Sequence, residues 1–233
     1  VLSTSIDKYV YITAHSGYSD DIILKYSKTE TVKDVNDIMH NRFKESLVQL
    51  GVFKGIEIAS FADLSSGTGL GSSSSFTVSL VKALYANKGQ KIGKEIAAQK
   101  ACEIEIDILK EPIGKQDQYA AAYGGLNLIT FNTDDTVTVE PIFIDFKFKA
   151  DFENHMMLFF TGMTRQAGSV LSEQKKNIDD NFETYKKMSD SVLMFRDKLL
   201  AQDLKGMANM LDEAWQRKKT LAKSITNSST DIL

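Results

Sequence analysis

Residues 66–75 read Ser-Gly-Thr-Gly-Leu-Gly-Ser-Ser-Ser-Ser and lie between a predicted strand at 56–62 and a predicted apolar helix at 76–86. Three glycines at alternate positions can adopt positive φ angles and let backbone N–H groups approach a ligand closely. The serines that follow lie in the first helical turn, where free N–H groups and the helix dipole favour an anion. Their hydroxyls are also oxygen donors of the kind that bind Mg²⁺. The stretch therefore predicts a phosphate-binding loop, and a plain glycine-rich turn with serine caps is the alternative.

Two common phosphate-binding motifs are excluded by the same stretch. A Walker A loop ends in Gly-Lys-Ser or Gly-Lys-Thr, and the first lysine after Gly71 is Lys82. A dinucleotide fingerprint has the spacing Gly-x-Gly-x-x-Gly and an acidic residue about 20 positions later, at the end of a second strand. Here the spacing is Gly-x-Gly-x-Gly, and residues 88–93 lie between two predicted helices. The loop is therefore of another type.

Hydrophobic periodicity predicts strands and helices on both sides of this loop. Strands are predicted at 1–13, 22–26, 56–62, 126–131, 137–146 and 155–161. Helices are predicted at 34–50, 76–86 and 95–109, and most of the chain after residue 161 is predicted to be helical, with a break near residue 203. Strands early and helices late, without regular alternation, indicate an α+β protein. We expect a first domain at 1–149, which carries the loop, and part of a second domain at 150–233.

The composition is that of a globular protein, since 42% of the 233 residues are hydrophobic and 25% are charged. A formal net charge of −3, from 28 basic and 31 acidic side chains, offers no general attraction for nucleic acid or anionic lipid. The longest apolar runs, such as 156–160, are far shorter than the ~20 residues that span a bilayer. The single cysteine suits a reducing compartment. We therefore expect a cytoplasmic enzyme without a nucleic-acid or membrane partner, and a homo-oligomer is left open.

Two motifs resemble those of a known family. Gly67-x-Gly69-Leu70-Gly71-Ser72-Ser73 resembles the second signature of the GHMP kinases, the family of galactokinase, homoserine kinase, mevalonate kinase and phosphomevalonate kinase. The second motif resembles the segment that supplies the catalytic aspartate in sugar kinases of this family, and it reads Gly114-Lys115-Gln116-Asp117-Gln118-Tyr119. With Gly124-Gly125 and the run Thr-Gly-Met-Thr-Arg at 161–165, it is most similar to the branch of D-glycero-D-manno-heptose 7-phosphate kinases. The resemblance covers nearly the whole chain.

The resemblance implies a two-domain α+β architecture, with a ribosomal-protein-like N-terminal domain and a ferredoxin-like C-terminal domain. It implies an enzyme that uses ATP and Mg²⁺ to phosphorylate the anomeric hydroxyl of a sugar phosphate for nucleotide-activated heptose synthesis. Asp117 matches the catalytic residue, and Ser73 and Glu105 match the magnesium ligands. The residues matching the nucleotide loop are Gly67, Gly69, Leu70, Gly71, Ser72, Ser73 and Ser74. The residues expected to contact the sugar phosphate are Gly114, Lys115, Gln118 and Arg165.

The chain also departs from the family pattern. Ser65 stands where the second signature normally begins with proline. The first signature, upstream of Val1, and the third signature, beyond Leu233, are both missing, so we expect the chain to be the middle of a longer enzyme that is incomplete at both ends. Two other functions therefore stay open. One is another sugar-1-kinase, similar to fucokinase or galactokinase, and the other is a catalytically silent relic that binds a nucleotide or a sugar.

Overall fold

A computed structural model describes residues 1–159, 177–221 and 225. The chain forms two compact units, which divide between Thr4 and Ser5 and again between Gly124 and Gly125. One unit is Ser5–Gly124, and the other combines Val1–Thr4 with Gly125–Leu233. Both units contain strands and helices, as expected for an α+β protein. Among the described residues, no helix is both long enough and apolar enough to span a membrane.

The Ser5–Gly124 unit contains a four-stranded mixed sheet and several helices. Its strands are β2 (Val10–Ser16), β3 (Ile22–Lys25), β4 (Thr29–Val32) and β5 (Ile56–Ala62). The strand order is β2-β5-β3-β4, in which only the β3–β5 pair is parallel. Its helices are α1 (Asn41–Gln49), α2 (Ser72–Asn87), α3 (Lys94–Cys102) and α4 (Gln116–Tyr123), with a 3₁₀ turn at Val35–Asp37 and a π-helical turn at Glu103–Ile108.

The core of this unit lies between the sheet and the first two helices. Alternate residues of β3 and β5 point inward, as the two-residue period of a strand requires. Helices α1 and α2 cover them with fully buried side chains at a helical spacing. The buried residues of this core include Ile22, Leu24, Phe43, Leu47, Ile56, Ile58, Leu80 and Leu84. This packing fixes the position of α2, and therefore of the glycine loop that leads into it.

The second unit contains a smaller antiparallel sheet followed by helices. Its strands are β1 (Leu2–Thr4), β6 (Leu126–Phe131) and β7 (Val137–Pro141), in the order β1-β6-β7. Its described helices are α5 (Phe146–Asn154), α6 (Phe182–Leu200) and α7 (Leu204–Lys219). Their core contains Phe148, Leu199 and Met207. Because Leu2 pairs with Leu128, the first residues of the chain belong to this sheet. The predicted domain boundary after residue 149 differs from this division into units and stays a prediction.

Several predicted strands were wrong in extent. The strand predicted at 1–13 is two strands of different sheets, β1 and β2, separated by residues 5–9. The strand predicted at 137–146 ends at Pro141, because Asp145 caps α5 by accepting hydrogen bonds from the N–H groups of Lys147 and Phe148. Residues 155–159 of the strand predicted at 155–161 are not in a strand, and residues 160–161 lie outside the described residues.

Two predicted helices are interrupted. The helix predicted at 34–50 is a 3₁₀ turn followed by α1, and the extended residue Ile38 separates them. At the start of α1, the Phe43 N–H donates to Nδ1 of His40 at 3.5 Å, so the imidazole caps the helix. The helix predicted at 95–109 changes from α to π geometry after Cys102. Helix α2 begins at Ser72, four residues before its predicted start, so the serines form its first turn as expected.

Leu84→Ala should destabilise the protein by about 2–5 kcal/mol, because Leu84 is fully buried and its removal leaves a cavity in the core of the Ser5–Gly124 unit. Leu211→Ala on α7 is the control, since Leu211 is 50% exposed and its loss should cost no more than about 0.5 kcal/mol. Urea denaturation of both variants measures the difference. Equal losses would contradict this account of the core.

Candidate functional site

The glycine loop has the backbone geometry that the sequence predicts. Gly67, Gly69 and Gly71 have φ angles of +79°, +78° and +69°, which disfavour any residue with a side chain. Gly71 is the N-cap of α2, and Ser75 N donates to its carbonyl at 2.9 Å. Because glycine has no side chain, it gives no capping hydrogen bond to the first N–H groups of the helix. The start of α2 therefore has the properties of an anion-binding site.

Glu105 is the buried centre of the site. Its carboxylate has no exposed surface, yet it accepts four side-chain hydrogen bonds from four separate residues. Oε1 accepts from Arg42 Nε at 3.0 Å and from Thr77 Oγ1 at 2.7 Å. Oε2 accepts from Ser74 Oγ at 2.9 Å and from Gln118 Nε2 at 2.6 Å. Both oxygens are thus satisfied, and the carboxylate connects α1, α2 and α4.

The π-helical turn explains how Glu105 reaches this position. Leu109 N donates to Ile104 O at 2.9 Å, the five-residue spacing of a π-helix. Such a turn holds one residue more than an α-helical turn would, which changes the direction of the side chains that follow. Ile104 and Glu105 are both buried here, while Asp107 is exposed. Short π turns are frequent at functional sites.

Arg42 carries the positive charge that faces Glu105. Its guanidinium also donates to the Glu111 carboxylate, with Nη2 at 2.6 Å from the nearest oxygen. Burial raises the pKa of Glu111, and the charge of Arg42 opposes this rise. One guanidinium thus lies between two carboxylates, one fully buried and the other 26% exposed.

Asp117 lies beside the end of the glycine loop. A Cβ placed on Gly71 would be 3.5 Å from Cγ of Asp117, which locates this carboxylate next to the start of α2. Asp117 is in the first turn of α4 and is exposed, whereas the following residue, Gln118, is fully buried. The structure therefore brings the end of the loop, Asp117 and the side chains that donate to Glu105 into one region, although these segments are far apart in the sequence.

The described residues that were predicted to contact a sugar phosphate differ in their exposure to solvent. Gly114 is exposed, and Lys115 is half-buried at the start of α4. Gln118 points into the protein, where its amide nitrogen donates to Glu105 and its Oε1 is buried without a hydrogen-bond partner. Arg165 lies outside the described residues. Gln118 is therefore placed to support Glu105.

The oxygen-bearing side chains near the loop fit Mg²⁺ as donor types. Ser73 is exposed in the first turn of α2, and Asp117 is exposed nearby. Glu105 already accepts two hydrogen bonds on each oxygen, so it would join a metal only by exchanging a protein donor. Within the described residues, no group of three or more His, Cys, Asp and Glu side chains is placed to hold a metal ion. Any magnesium site would thus draw on hydroxyls and on phosphate oxygens as well.

Two residues of this site were missed by the sequence analysis. Thr77 is a polar residue in an apolar helix, three positions after Ser74, so the two hydroxyls share one helix face. That spacing is a signal that could have found it. Arg42 is 63 residues from Glu105, and nothing in the sequence pattern links the two.

Cys102, near Glu105, is buried, and burial raises its pKa to about 12, so its thiol is neutral.

Comparisons with known proteins agree with the motifs. Residues 31–125 match the family model of the GHMP kinases N terminal domain. D-glycero-alpha-D-manno-heptose 7-phosphate kinase of Campylobacter jejuni is 27% identical over 251 residues, covering 99% of this chain and 72% of the relative. Galactokinase of Thermococcus kodakarensis is 27% identical over 179 residues, covering 64% of this chain and 49% of the relative.

A solved structure is similar over most of the chain. The crystal structure of a D-glycero-D-manno-heptose 1-phosphate kinase from Bacteroides thetaiotaomicron superposes with a TM-score of 0.80 at 25% identity. The match covers 94% of this chain and 70% of that protein. The resemblance to the GHMP kinases and the α+β fold expected from it are confirmed.

Thr77→Val should destabilise the protein by about 1.5–3 kcal/mol, because it removes a hydroxyl donor from a buried charged group at almost constant volume. Thr29→Val on β4 is the control, since Thr29 is exposed and a surface change there should stay within about 0.5 kcal/mol. Urea denaturation gives both values. A loss at Thr77 no larger than that at Thr29 would show that the hydroxyl does not stabilise Glu105.

Proposed function

We propose that this chain belongs to a sugar kinase that transfers the γ-phosphoryl group of ATP to the anomeric hydroxyl of D-glycero-D-manno-heptose 7-phosphate. The observation that carries the proposal is the position of the Asp117 carboxylate beside Gly71, at the end of the glycine loop and the start of α2. A carboxylate there is next to the place where phosphates would bind. Relatives whose names give a heptose phosphate as substrate or product support the choice of sugar.

The glycine loop would hold the triphosphate. Phosphoryl transfer depends mainly on positioning and on neutralising the charge of the phosphates. The N–H groups at the start of α2 and the dipole of this 16-residue helix provide both. The loop residues assigned to ATP are Gly67, Gly69, Leu70, Gly71, Ser72, Ser73 and Ser74. Ser73 and Glu105 are assigned to Mg²⁺, which when bound neutralises charge on the phosphates.

Asp117 would act on the sugar. Its carboxylate would accept the proton of the anomeric hydroxyl, or orient that hydroxyl for in-line attack. Gly114 would leave room for a sugar, since no atom of the described residues, apart from its two chain neighbours, lies within 4 Å of a Cβ placed on it. Lys115 or Arg165 is assigned to the phosphate that the sugar already carries. Gln118 would affect the sugar only indirectly, because its amide group donates to Glu105.

The alternatives make different demands on the site. A galactokinase-like or fucokinase-like enzyme would use the same loop and Asp117 on a free sugar, and the galactokinase relative favours this candidate. A silent relic would bind ATP without consuming it. ATP and sugar phosphates are both found in the cytoplasm, so we propose that compartment, and we propose no nucleic-acid or membrane partner.

ADP release by the complete protein, measured against free and phosphorylated hexoses and heptoses, tests the substrate. Heptose 7-phosphate should give a kcat/KM roughly 10²-fold or more above that of galactose or fucose, because a site built for a polar group rejects substrates that lack it. Activity with galactose or fucose and none with heptose 7-phosphate would overturn the substrate. ATP binding without ADP release for every sugar would overturn the kinase.

Asp117→Asn should lower kcat by about 10²–10⁴, because loss of general-base assistance has this size, while nucleotide affinity should remain nearly unchanged. Asp107→Asn is the matched control, since Asp107 is exposed on the π-helical turn and has no part in the proposed phosphoryl transfer. Steady-state kinetics and nucleotide titration measure both variants. If Asp117 only caps α4, asparagine would serve about as well and turnover would stay near normal.

A further inference from the structure

The two carboxylate oxygens of Glu105 accept hydrogen bonds from different residues. Arg42 and Thr77 donate to Oε1, whereas Ser74 and Gln118 donate to Oε2. Ser74 is next to Ser73 in the first turn of α2, and Gln118 is next to Asp117 in the first turn of α4. Oε2 therefore joins the two helix starts that carry the proposed chemistry.

Arg42 is suited to fix this carboxylate. The hydroxyl and amide donors to Glu105 are neutral, so among the described residues Arg42 supplies the positive charge in contact with this fully buried group. A buried charge is costly unless it is paired and hydrogen-bonded. The planar guanidinium uses Nε for Glu105 and Nη2 for Glu111, and a lysine ammonium cannot reproduce this fork. The second carboxylate thus holds Arg42 in orientation.

We propose that Arg42 is a positioning residue of the kinase site. Acting through Glu105, it keeps the start of α2 and the start of α4 at the separation that the phosphoryl transfer needs. The inference rests on the proposed function. When Arg42 is removed, Glu105 Oε1 loses its charged donor, the carboxylate turns, and the bridge from Ser74 to Gln118 loosens. A displacement of about 1 Å at a reacting group costs on the order of 10² in rate.

Chemical rescue tests this role, because the Arg42 side chain is reachable from solvent. It is 24% exposed and lines a surface cleft of about 260 Å³ together with His40 and Glu111. Arg42→Ala should lower kcat roughly 10²-fold while the KM for ATP changes little. Guanidinium, at concentrations well below those that unfold the protein, should restore most of the lost rate. Urea has nearly the same shape without the charge and should restore none.

Two further variants separate positioning from folding. Arg217→Ala removes a guanidinium that pairs with the exposed Glu213 at 2.8 Å, and it should leave kcat unchanged with or without guanidinium. Arg42→Lys keeps the charge and gives a test if the alanine variant does not fold. Its kcat should still fall, because one ammonium cannot hold both carboxylates. A wild-type kcat for Arg42→Lys or Arg42→Ala, equal rescue by urea, or no rescue of the folded alanine variant would overturn the proposal.

Hydrogen–deuterium exchange separates failure of this inference from failure of the proposed function. In Arg42→Ala, the first hydrogen-bonded amides of α2 and α4, at Ser75 and Tyr119, should exchange faster than in the wild type, and guanidinium should slow them again. This readout needs no sugar and no turnover. If the wild type consumes no ATP with any sugar while exchange responds as expected, the kinase proposal fails and the positioning contact stands. Unchanged exchange in these turns would overturn the positioning role directly.

Discussion

A fully buried carboxylate sets the conditions that the rest of the site has to meet. An ionised Glu105 without exposed surface is tolerable only if its charge is paired and its oxygens are hydrogen-bonded. Four residues from three helices meet that requirement, and each of them is thereby fixed relative to the others. The glycine loop and Asp117 inherit their relative position from this network. The polar network around Glu105 is therefore also the point at which α1, α2 and α4 are joined.

The packing of the sheet and the polar network act on the same helix at different points along its length. Helix α2 contributes Leu80 and Leu84 to the apolar core, while its first two turns turn Ser74 and Thr77 towards Glu105. Apolar packing is non-directional and fixes the helix broadly, whereas hydrogen bonds to a charged group are directional. The exposed Ser73 precedes both sets of contacts in the first turn of this helix.

Local sequence patterns predicted the glycine loop well, but they could not predict which distant residues contact each other. The glycine spacing at 67–71 allowed positive φ angles, and all three glycines adopt them. The α+β class also followed from the order of elements. The split between β1 and β2 could not be predicted, because alternation is the same in both strands and only their partners, β6 and β5, differ. The pairing of Arg42 with Glu105 joins residues 63 positions apart, which periodicity does not encode.

The pairing of β1 with β6 has a consequence for the time course of synthesis. Leu2 faces Leu128, so 126 residues, including the whole Ser5–Gly124 unit, must leave the ribosome before β1 finds its partner. At 5–20 residues per second this takes roughly 6–25 s. During that interval β1 is a nascent segment with backbone groups not yet paired to β6, while the glycine loop and the buried Glu105 carboxylate can already assemble. The Ser5–Gly124 unit is thus in a position to fold first, before the small antiparallel sheet is complete.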